Sequence, residues 1–265
     1  MNILTINDVV SQPLIIEKEL KALFGRNERL LFMDIGACTG EDSIRYSNLF
    51  PKAKIISFEP LPGNIEIMRK HIGQFKKEGQ IKIVQLALSD VNGTSKFFVS
   101  GGTPYKDIPD HQFTQLIPKE WNKSSSLLKP SSLMKKEIPW IEFNHEINIE
   151  TRRLDDYMNE KNIAKVDFIH MDVQGAELLV LQGMGKFLQN VKLIWLEVEN
   201  VQLYENQPLK KQINEYLCNL NFKMLKDTSI SQSSGDCLYI NKKFYSTTFK
   251  TTLTLNKLIE RFKNI

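Results

Sequence analysis

Residues 29 to 51 place the strongest constraint on the fold. Arg29 to Ile35 (RLLFMDI) is a short apolar run reaching Asp34, and the loop Asp34-Ile35-Gly36-Ala37-Cys38-Thr39-Gly40 follows. The next ten residues, EDSIRYSNLF, have helical spacing that stops before Pro51. Strand, glycine loop and helix in this order begin a parallel βαβ unit and put the loop at the carboxyl end of its strand.

The same rhythm continues along the chain. Lys54 to Phe58 (KIISF) ends at Glu59-Pro60 and leads into a helical segment from Gly63 to Phe75. Ile81 to Leu86 (IKIVQL) ends at Ala87-Leu88-Ser89-Asp90, Val91-Asn92-Gly93 signals a turn, and Ser95 to Val99 reads as a strand. Later come strand Ile147 to Thr151, a short helix opened by Leu154-Asp155-Asp156-Tyr157, strand Val166 to Met171 ending at Asp172, and helix Gly175 to Leu188. Strand Leu193 to Val198 ends among Glu197, Glu199 and Asn200, and helix Leu209 to Leu220 precedes an antiparallel hairpin from Phe222 to Leu225 and Cys237 to Ile240. The expectation is an α/β fold with a doubly wound, mostly parallel sheet.

Three stretches stand outside this rhythm. Residues 1–28 carry a lead-in helix, Pro13 to Phe24, with Gly25 as its stop. Residues 101–146 hold Pro104, Pro109, Pro118, Pro130 and Pro139, the run Ser124-Ser125-Ser126, and two of the three tryptophans, Trp121 and Trp140. Loops of that length inside a compact domain bind or cover something, so an acceptor-binding cap is expected there. Residues 242–265 are basic, with Leu255, Leu258, Ile259 and Phe262 on one helical face. That helix is expected to dock on the core or to mediate dimerisation.

Composition excludes several classes. The 265 residues are 42% hydrophobic, enough for one substantial core spanning 29–241 with the elaborations named above. A net charge of +4, from 35 basic and 31 acidic residues spread along the chain, is too mild to imply nucleic acid. Cys38, Cys218 and Cys237 have no metal-ligand spacing and are odd in number, which points to a reducing cytoplasm. With neither a basic leader before an apolar run nor an uninterrupted apolar stretch of roughly eighteen residues, a soluble cytoplasmic protein with no transmembrane segment is expected.

Ligands of open α/β sheets bind beyond the carboxyl ends of the strands, so the polar residues there carry the chemistry. Gly36 and Gly40 allow a tight turn, and the helix after them directs N–H groups and partial positive charge at the loop, where an anionic group is expected. Dinucleotide sites place glycine where this chain has Asp34 and Ala37, and Asp34 would repel a pyrophosphate. S-adenosylmethionine offers a carboxylate beside an ammonium, which a carboxylate followed by a glycine loop can meet. Glu59 suits the two ribose hydroxyls, and Ser89 with Asp90 the adenine amino group. The expected cofactor positions are Asp34, Gly36, Ala37, Thr39, Glu59, Pro60, Leu88, Ser89 and Asp90.

Asp172 ends a central strand and is the expected catalytic residue, orienting or deprotonating the acceptor; capping the following helix is its structural alternative. His145, in the irregular segment, is the other candidate base, whereas His170 reads as a hydrogen-bonded core histidine. Asp172, Glu197 and Glu199 are ligands of the kind magnesium takes, yet separate structural roles are favoured and no metal is expected.

On these residues the chain resembles the FkbM family of S-adenosylmethionine-dependent methyltransferases over roughly Leu31 to Ile240. The matching segments are DIGACTG from Asp34, FEPLPGN from Phe58, LALSDVNG from Leu86, SSSL from Ser124, TRRLDDY from Thr151 and FIHMDVQGAELLVLQG from Phe168, with Gln174 where the family more often has glutamate. The resemblance implies a seven-stranded class I, Rossmann-like methyltransferase fold, S-adenosylhomocysteine as product, and O-methylation of a hydroxyl on a sugar, glycan or secondary metabolite. Methylation of nucleic acid or protein, and a non-catalytic cofactor-binding module, are the alternatives. The first is weakened because no Asn/Asp-Pro-Pro-aromatic segment is present.

Overall fold

A computed structural model of the chain describes residues 5–102, 122–230 and 232–245. Its main sheet is built from β1 (Leu31–Ile35), β2 (Lys54–Phe58), β3 (Ile81–Val84), β7 (Val166–Met171), β8 (Val191–Glu199), β9 (Phe222–Asp227) and β10 (Ser234–Asn241). The strand order is β3-β2-β1-β7-β8-β10-β9. Every neighbouring pair is parallel except those of β10, which runs antiparallel to both β8 and β9. The chain works outward from β1 to β3, then returns to start the other half at β7, so order reverses between β1 and β7. This arrangement is the seven-stranded, doubly wound sheet the resemblance implies.

The apolar runs of β1, β7 and β8 are nearly continuous because helices cover both faces of the sheet. Met33, Ile35, Ile169, Met171, Ile194 and Leu196 pack on the face covered by α6 (Leu154–Glu160), α7 (Glu177–Gly183) and α8 (Lys210–Asn219). Phe32, Phe168, Leu193 and Trp195 face the other layer, which contains α2 (Glu17–Leu23), α3 (Glu41–Leu49) and α4 (Pro62–Gln74). The two-residue period of a strand therefore puts Asp34 and His170 on the same face as Phe32 and Phe168. Parallel register sets Asp34 beside His170 on one side and beside Ser57 on the other.

A second sheet, ordered β4-β6-β5, joins β4 (Ala87–Leu88), β5 (Gly93–Gly102) and β6 (Ile141–Arg152). Sequence spacing shows only the middle of β5 and the C-terminal part of β6. Pairing extends them to ten and twelve residues, and the excursion between them, which includes α5 (Ser132–Glu137), leaves and returns along this antiparallel ladder. Two other elements differ from expectation. The lead-in helix expected over Pro13 to Phe24 begins only at Glu17, as α2, and a separate helix, α1 (Ile6–Ser11), begun by a Thr5–Asp8 capping box, precedes it and ends where Gln12, the residue before Pro13, takes an extended conformation. The helix after Asp172 ends at Gly183 and yields to a 3-10 turn, Gly185–Asn190, at whose start Gly185 has φ +49°. Of the expected C-terminal helix, Lys242–Phe244 is a 3-10 turn, and 246–265 lie outside the described residues, as do 103–121 of the excursion. Among the described residues no helix is long and apolar enough to cross a membrane.

Phe168 meets Phe32 and Tyr46 edge-on at centroid separations of 5.2 and 5.1 Å and is fully buried. Phe168→Ala is expected to cost about 3–5 kcal/mol in a denaturant titration. A loss under about 1 kcal/mol would show that this layer does not anchor β7.

Candidate active site

The glycine loop lies over the β1–β7 junction. Gly36 has φ +81°, and a Cβ there would stand 1.8 Å from the carbonyl oxygen of Asp172, so the loop passes β7 at a distance only glycine permits. The Asp172 amide donates to the Ile35 carbonyl at 2.9 Å and joins the two strand ends. The loop is also tied to β2: the amides of Gly36 and Ala37 both donate to the Phe58 carbonyl at 3.0 Å, and that of Cys38 donates to Glu59 Oε2 at 3.0 Å. Gly40 N–H turns back to the Ala37 carbonyl at 2.8 Å.

Glu59 follows β2 and is buried. Its Oε1 accepts from the Leu61 amide at 2.9 Å and from Asn64 Nδ2 at 3.2 Å, and Asn122 Nδ2 donates to Asn64 Oδ1 at 2.5 Å. Burial raises the Glu59 carboxyl to about 7, against the lowering effect of these donors. Beside it opens a cleft of about 550 Å³ with apolar walls from Phe58, Leu61, Leu86, Leu88 and Phe97. A second cleft, of about 640 Å³ and polar, lies across the loop, lined in part by Asp34, Asp42, Arg45 and His170. Gly36, Cys38, Lys123 and Asp172 line both.

Beneath the second cleft, Asp34 is fully engaged. His170 Nδ1 lies 3.1 Å from Asp34 Oδ1, and Ser43 Oγ donates to Oδ2 at 2.5 Å while contacting Ser57 Oγ at 2.7 Å. Burial opposes a charge on His170, but the hydrogen bond and charge of Asp34, with Asp42 and Asp172, outweigh it and lift the ring to about 9. The reading of His170 as a partnered core histidine agrees with this position.

Asp172 is half-buried at the end of β7, and Gln174, with φ +54°, reaches back to it. Gln174 Nε2 donates to Asp172 Oδ1 at 2.8 Å and to Glu197 Oε2 at 2.7 Å. Its Oε1 accepts from the Tyr204 hydroxyl at 3.1 Å, and its carbonyl accepts from Ser126 Oγ at 2.7 Å. Glu177 Oε1 accepts from the amides of Val173 and Gly175 at 3.0 and 3.3 Å, so Glu177, not Asp172, satisfies the backbone ahead of α7. Oxygens of Asp172, Glu177 and Glu197 lie within 4.8 Å of one another, a set from which Glu199 is absent. Burial raises Glu177 to about 7, and burial followed by the charges of Asp172, Glu199 and Glu177 holds Glu197 well above the usual carboxyl range.

Of the residues expected at the site, Gly36, Glu59, Pro60, Leu88 and Asp172 line the apolar cleft, and Asp34 and Ala37 line the polar one. Thr39 is buried with its carbonyl on His71 Nδ1 at 2.8 Å, and Ser89 and Asp90 pair with each other behind Leu88, outside both linings. His145 is exposed on β6 opposite Val99, also outside both clefts. Asn64, Asn122, Lys123, Gln174 and Tyr204 were not among the expected site residues. The serine run was their available signal, since Ser125 and Ser126 fold Asn122 and Lys123 over the cleft mouth through bonds to Ser100 and Gln174.

Glu59, Glu177 and Glu199, the last raised to about 9 by burial, bind protons more tightly folded than unfolded, and so does His170. Their stabilising contribution is complete below the ordinary values of 4.5 and 6.5 and is lost as pH rises through about 7 to 9. The melting temperature of the ligand-free protein is expected to fall between pH 6 and pH 9, by scanning fluorimetry; a rise over that window would contradict the burial of these groups. Gly36→Ala is expected to displace β7 from the loop and abolish cofactor binding, measured by titration calorimetry; unchanged affinity would remove the close approach from the site's requirements.

Known proteins match this framework. The FkbM methyltransferase domain model matches residues 34–224. The chain is 32% identical over 196 residues to the 2-O-methyltransferase NoeI of Sinorhizobium fredii, covering 74% of each chain. It is 27% identical over 209 residues to the methyltransferase sdnD of Sordaria araneosa, again covering 74% of each. Against the crystal structure of methyltransferase FkbM from Methylobacillus flagellatus KT, the TM-score is 0.49 at 14% identity, over 82% of this chain and 44% of that one. A domain match of this extent, beginning at Asp34, makes the chain a member of the FkbM family of S-adenosylmethionine-dependent methyltransferases.

Proposed function

We propose that the protein methylates a hydroxyl oxygen of a sugar, glycan or other small hydroxylated metabolite, with Asp172 receiving the hydroxyl proton. The observation that carries this reading is the place of Asp172, which lines both clefts and has one carboxylate oxygen held by Gln174. The similarity to a 2-O-methyltransferase supports a hydroxyl acceptor.

The residues present fit S-adenosylmethionine. In this reading the apolar walls around Leu88, with Pro60, flank the adenine; Glu59 accepts from the ribose hydroxyls; and the polar cleft takes the amino-acid end. Ser89 and Asp90 act from behind Leu88, as support and not as contacts. Thr39 and Asp34 likewise hold the loop's form from within, Asp34 through His170 and Ser43. When bound, the cofactor supplies a methyl carbon already activated by its sulfonium.

The protein's own contribution is then position and proton removal. Holding the reacting atoms in line is worth about 7–11 kcal/mol. Gln174 holds Asp172 Oδ1 by a neutral donor, and Glu197, kept protonated, hydrogen-bonds the same carboxylate, so that Asp172 is fixed where the two clefts meet. The excursion 101–146, whose described part brings Asn122 and Lys123 to the cleft, frames the acceptor.

Asp172→Asn is expected to lower turnover by about 10²- to 10⁴-fold on any sugar or small metabolite that wild type methylates, read as S-adenosylhomocysteine released. Its affinity for S-adenosylhomocysteine should change little. Full turnover by this variant would exclude Asp172 from the chemistry.

A further inference from the structure

Two of the segments that carry the family resemblance meet in space. FEPLPGN ends on Asn64, in the first turn of α4, and SSSL begins two residues after Asn122, in the return of the excursion. Asn64 is 2% exposed, so its amide needs a partner at each end. Its Nδ2 donates to Glu59 Oε1 at 3.2 Å and lies 3.8 Å from Cys38 Sγ, and its Oδ1 accepts from Asn122 Nδ2 at 2.5 Å. Both asparagines line the apolar cleft beside Glu59.

An amide has a donor end and an acceptor end, and beside a carboxylate only the donor end is favourable. Asn122 sets that direction, because its own Nδ2 occupies the oxygen of Asn64 and turns the nitrogen toward Glu59. Asn122 is itself held by the serine run. Its carbonyl accepts from the Ser125 hydroxyl at 2.7 Å and from the Ser125 amide at 3.3 Å, and the Ser100 amide of β5 donates to Ser125 Oγ at 2.9 Å. Ser126 exchanges backbone bonds of 2.8 and 3.0 Å with Phe98 of the same strand. Of the groups that donate to Glu59, the Leu61 and Cys38 amides belong to the backbone after β2 and β1, whereas Asn64 is a side chain whose orientation is set from the excursion. Burial is the strongest influence on Glu59 and favours its proton; the Asn64 donor works the other way and favours the carboxylate, the form to which hydroxyls donate most strongly.

We propose that Asn64 and Asn122 are positioning residues for the cofactor's ribose: Asn122 orients the Asn64 amide, and Asn64 holds the Glu59 carboxylate where it meets the ribose hydroxyls. This rests on the cofactor reading given above. The two residues act in series, since Asn122 reaches Glu59 through Asn64. Recognition of the ribose thereby depends on a residue of the excursion, 58 positions beyond Asn64 in the chain.

The test is titration calorimetry with the full chain, using S-adenosylhomocysteine and its 2′,3′-dideoxy analogue, which keeps the base, sulfur and amino-acid end and lacks both ribose hydroxyls. Wild type is expected to prefer S-adenosylhomocysteine by about tenfold to a hundredfold. Asn122→Ala, at the cleft mouth, is expected to weaken S-adenosylhomocysteine about fivefold to tenfold while leaving the analogue within about twofold. Asn122→Asp, which keeps the shape and removes the donor, should do the same. Because the residues act in series, Asn64→Ala combined with Asn122→Ala should bind S-adenosylhomocysteine no more weakly than Asn64→Ala alone. Equal weakening of both ligands by Asn122→Ala would assign Asn122 a purely structural role and overturn the proposal. Wild-type discrimination retained by Asn122→Ala or Asn122→Asp, or single effects that multiply in the double variant, would overturn it as well. Failure of wild type to bind S-adenosylhomocysteine, or to distinguish it from the analogue, is a different result, and would overturn the cofactor reading on which the proposal stands.

Discussion

The contact between Gly36 and the Asp172 carbonyl governs the geometry of everything at this end of the sheet. It brings the first loop of one half of the fold against the first strand of the other, at the point where strand order reverses. Because no side chain fits between them, the ends of β1 and β7 stay in register through the bond from the Asp172 amide to Ile35. Loop, Glu59 and Asp172 are thereby positioned by backbone hydrogen bonds, which hold a site more firmly than long side chains do.

Around this junction the protein concentrates buried acid. Glu59, Glu177, Glu197 and Glu199 all titrate high because burial disfavours their charge. The cost is limited by partners that are themselves neutral: backbone amides for Glu59 and Glu177, and the Gln174 amide for Asp172 and Glu197. A glutamate in place of Gln174 would put one more carboxylate among them, so the amide here is a physical feature of this chain's site. His170 plays the converse part, supplying the positive charge that Asp34 needs beneath the loop.

The described part of the excursion between β5 and β6 borders both clefts. Its ladder carries it away from and back to the sheet, and the three serines fasten its return to Ser100 and to the Gln174 carbonyl. Tyr204, reaching the Ser124 carbonyl at 2.7 Å and Gln174 at 3.1 Å, binds the same segment to the region after β8. Motion of the excursion would therefore be felt at Asp172 and at Glu59, through Gln174 and Asn64.

Much of this architecture is legible in the order of residues alone. Apolar runs that stop at Asp34, Glu59 and Asp172 locate the strand ends, because strand period and burial are properties of local sequence, and glycine at 36 and 40 marks a loop that only such residues form. Helix limits are less legible: the helix read from Pro13 starts only at Glu17, and Gly185 ends α7's helical run where apolar spacing continues. Which side chains line the clefts is not legible from adjacency: Ser89 and Asp90 follow a strand, as Glu59 does, yet line neither cleft, and His145 is exposed on a ladder whose length only pairing creates. The pairing of Asp34 with His170, of Asn122 with Asn64 and of Lys123 with Glu41 spans 136, 58 and 82 residues. Local sequence determined the strands, the loop and the family; strand register and the return path of the excursion decided which charges meet, because a charge acts through distance in space and sequence fixes only distance along the chain.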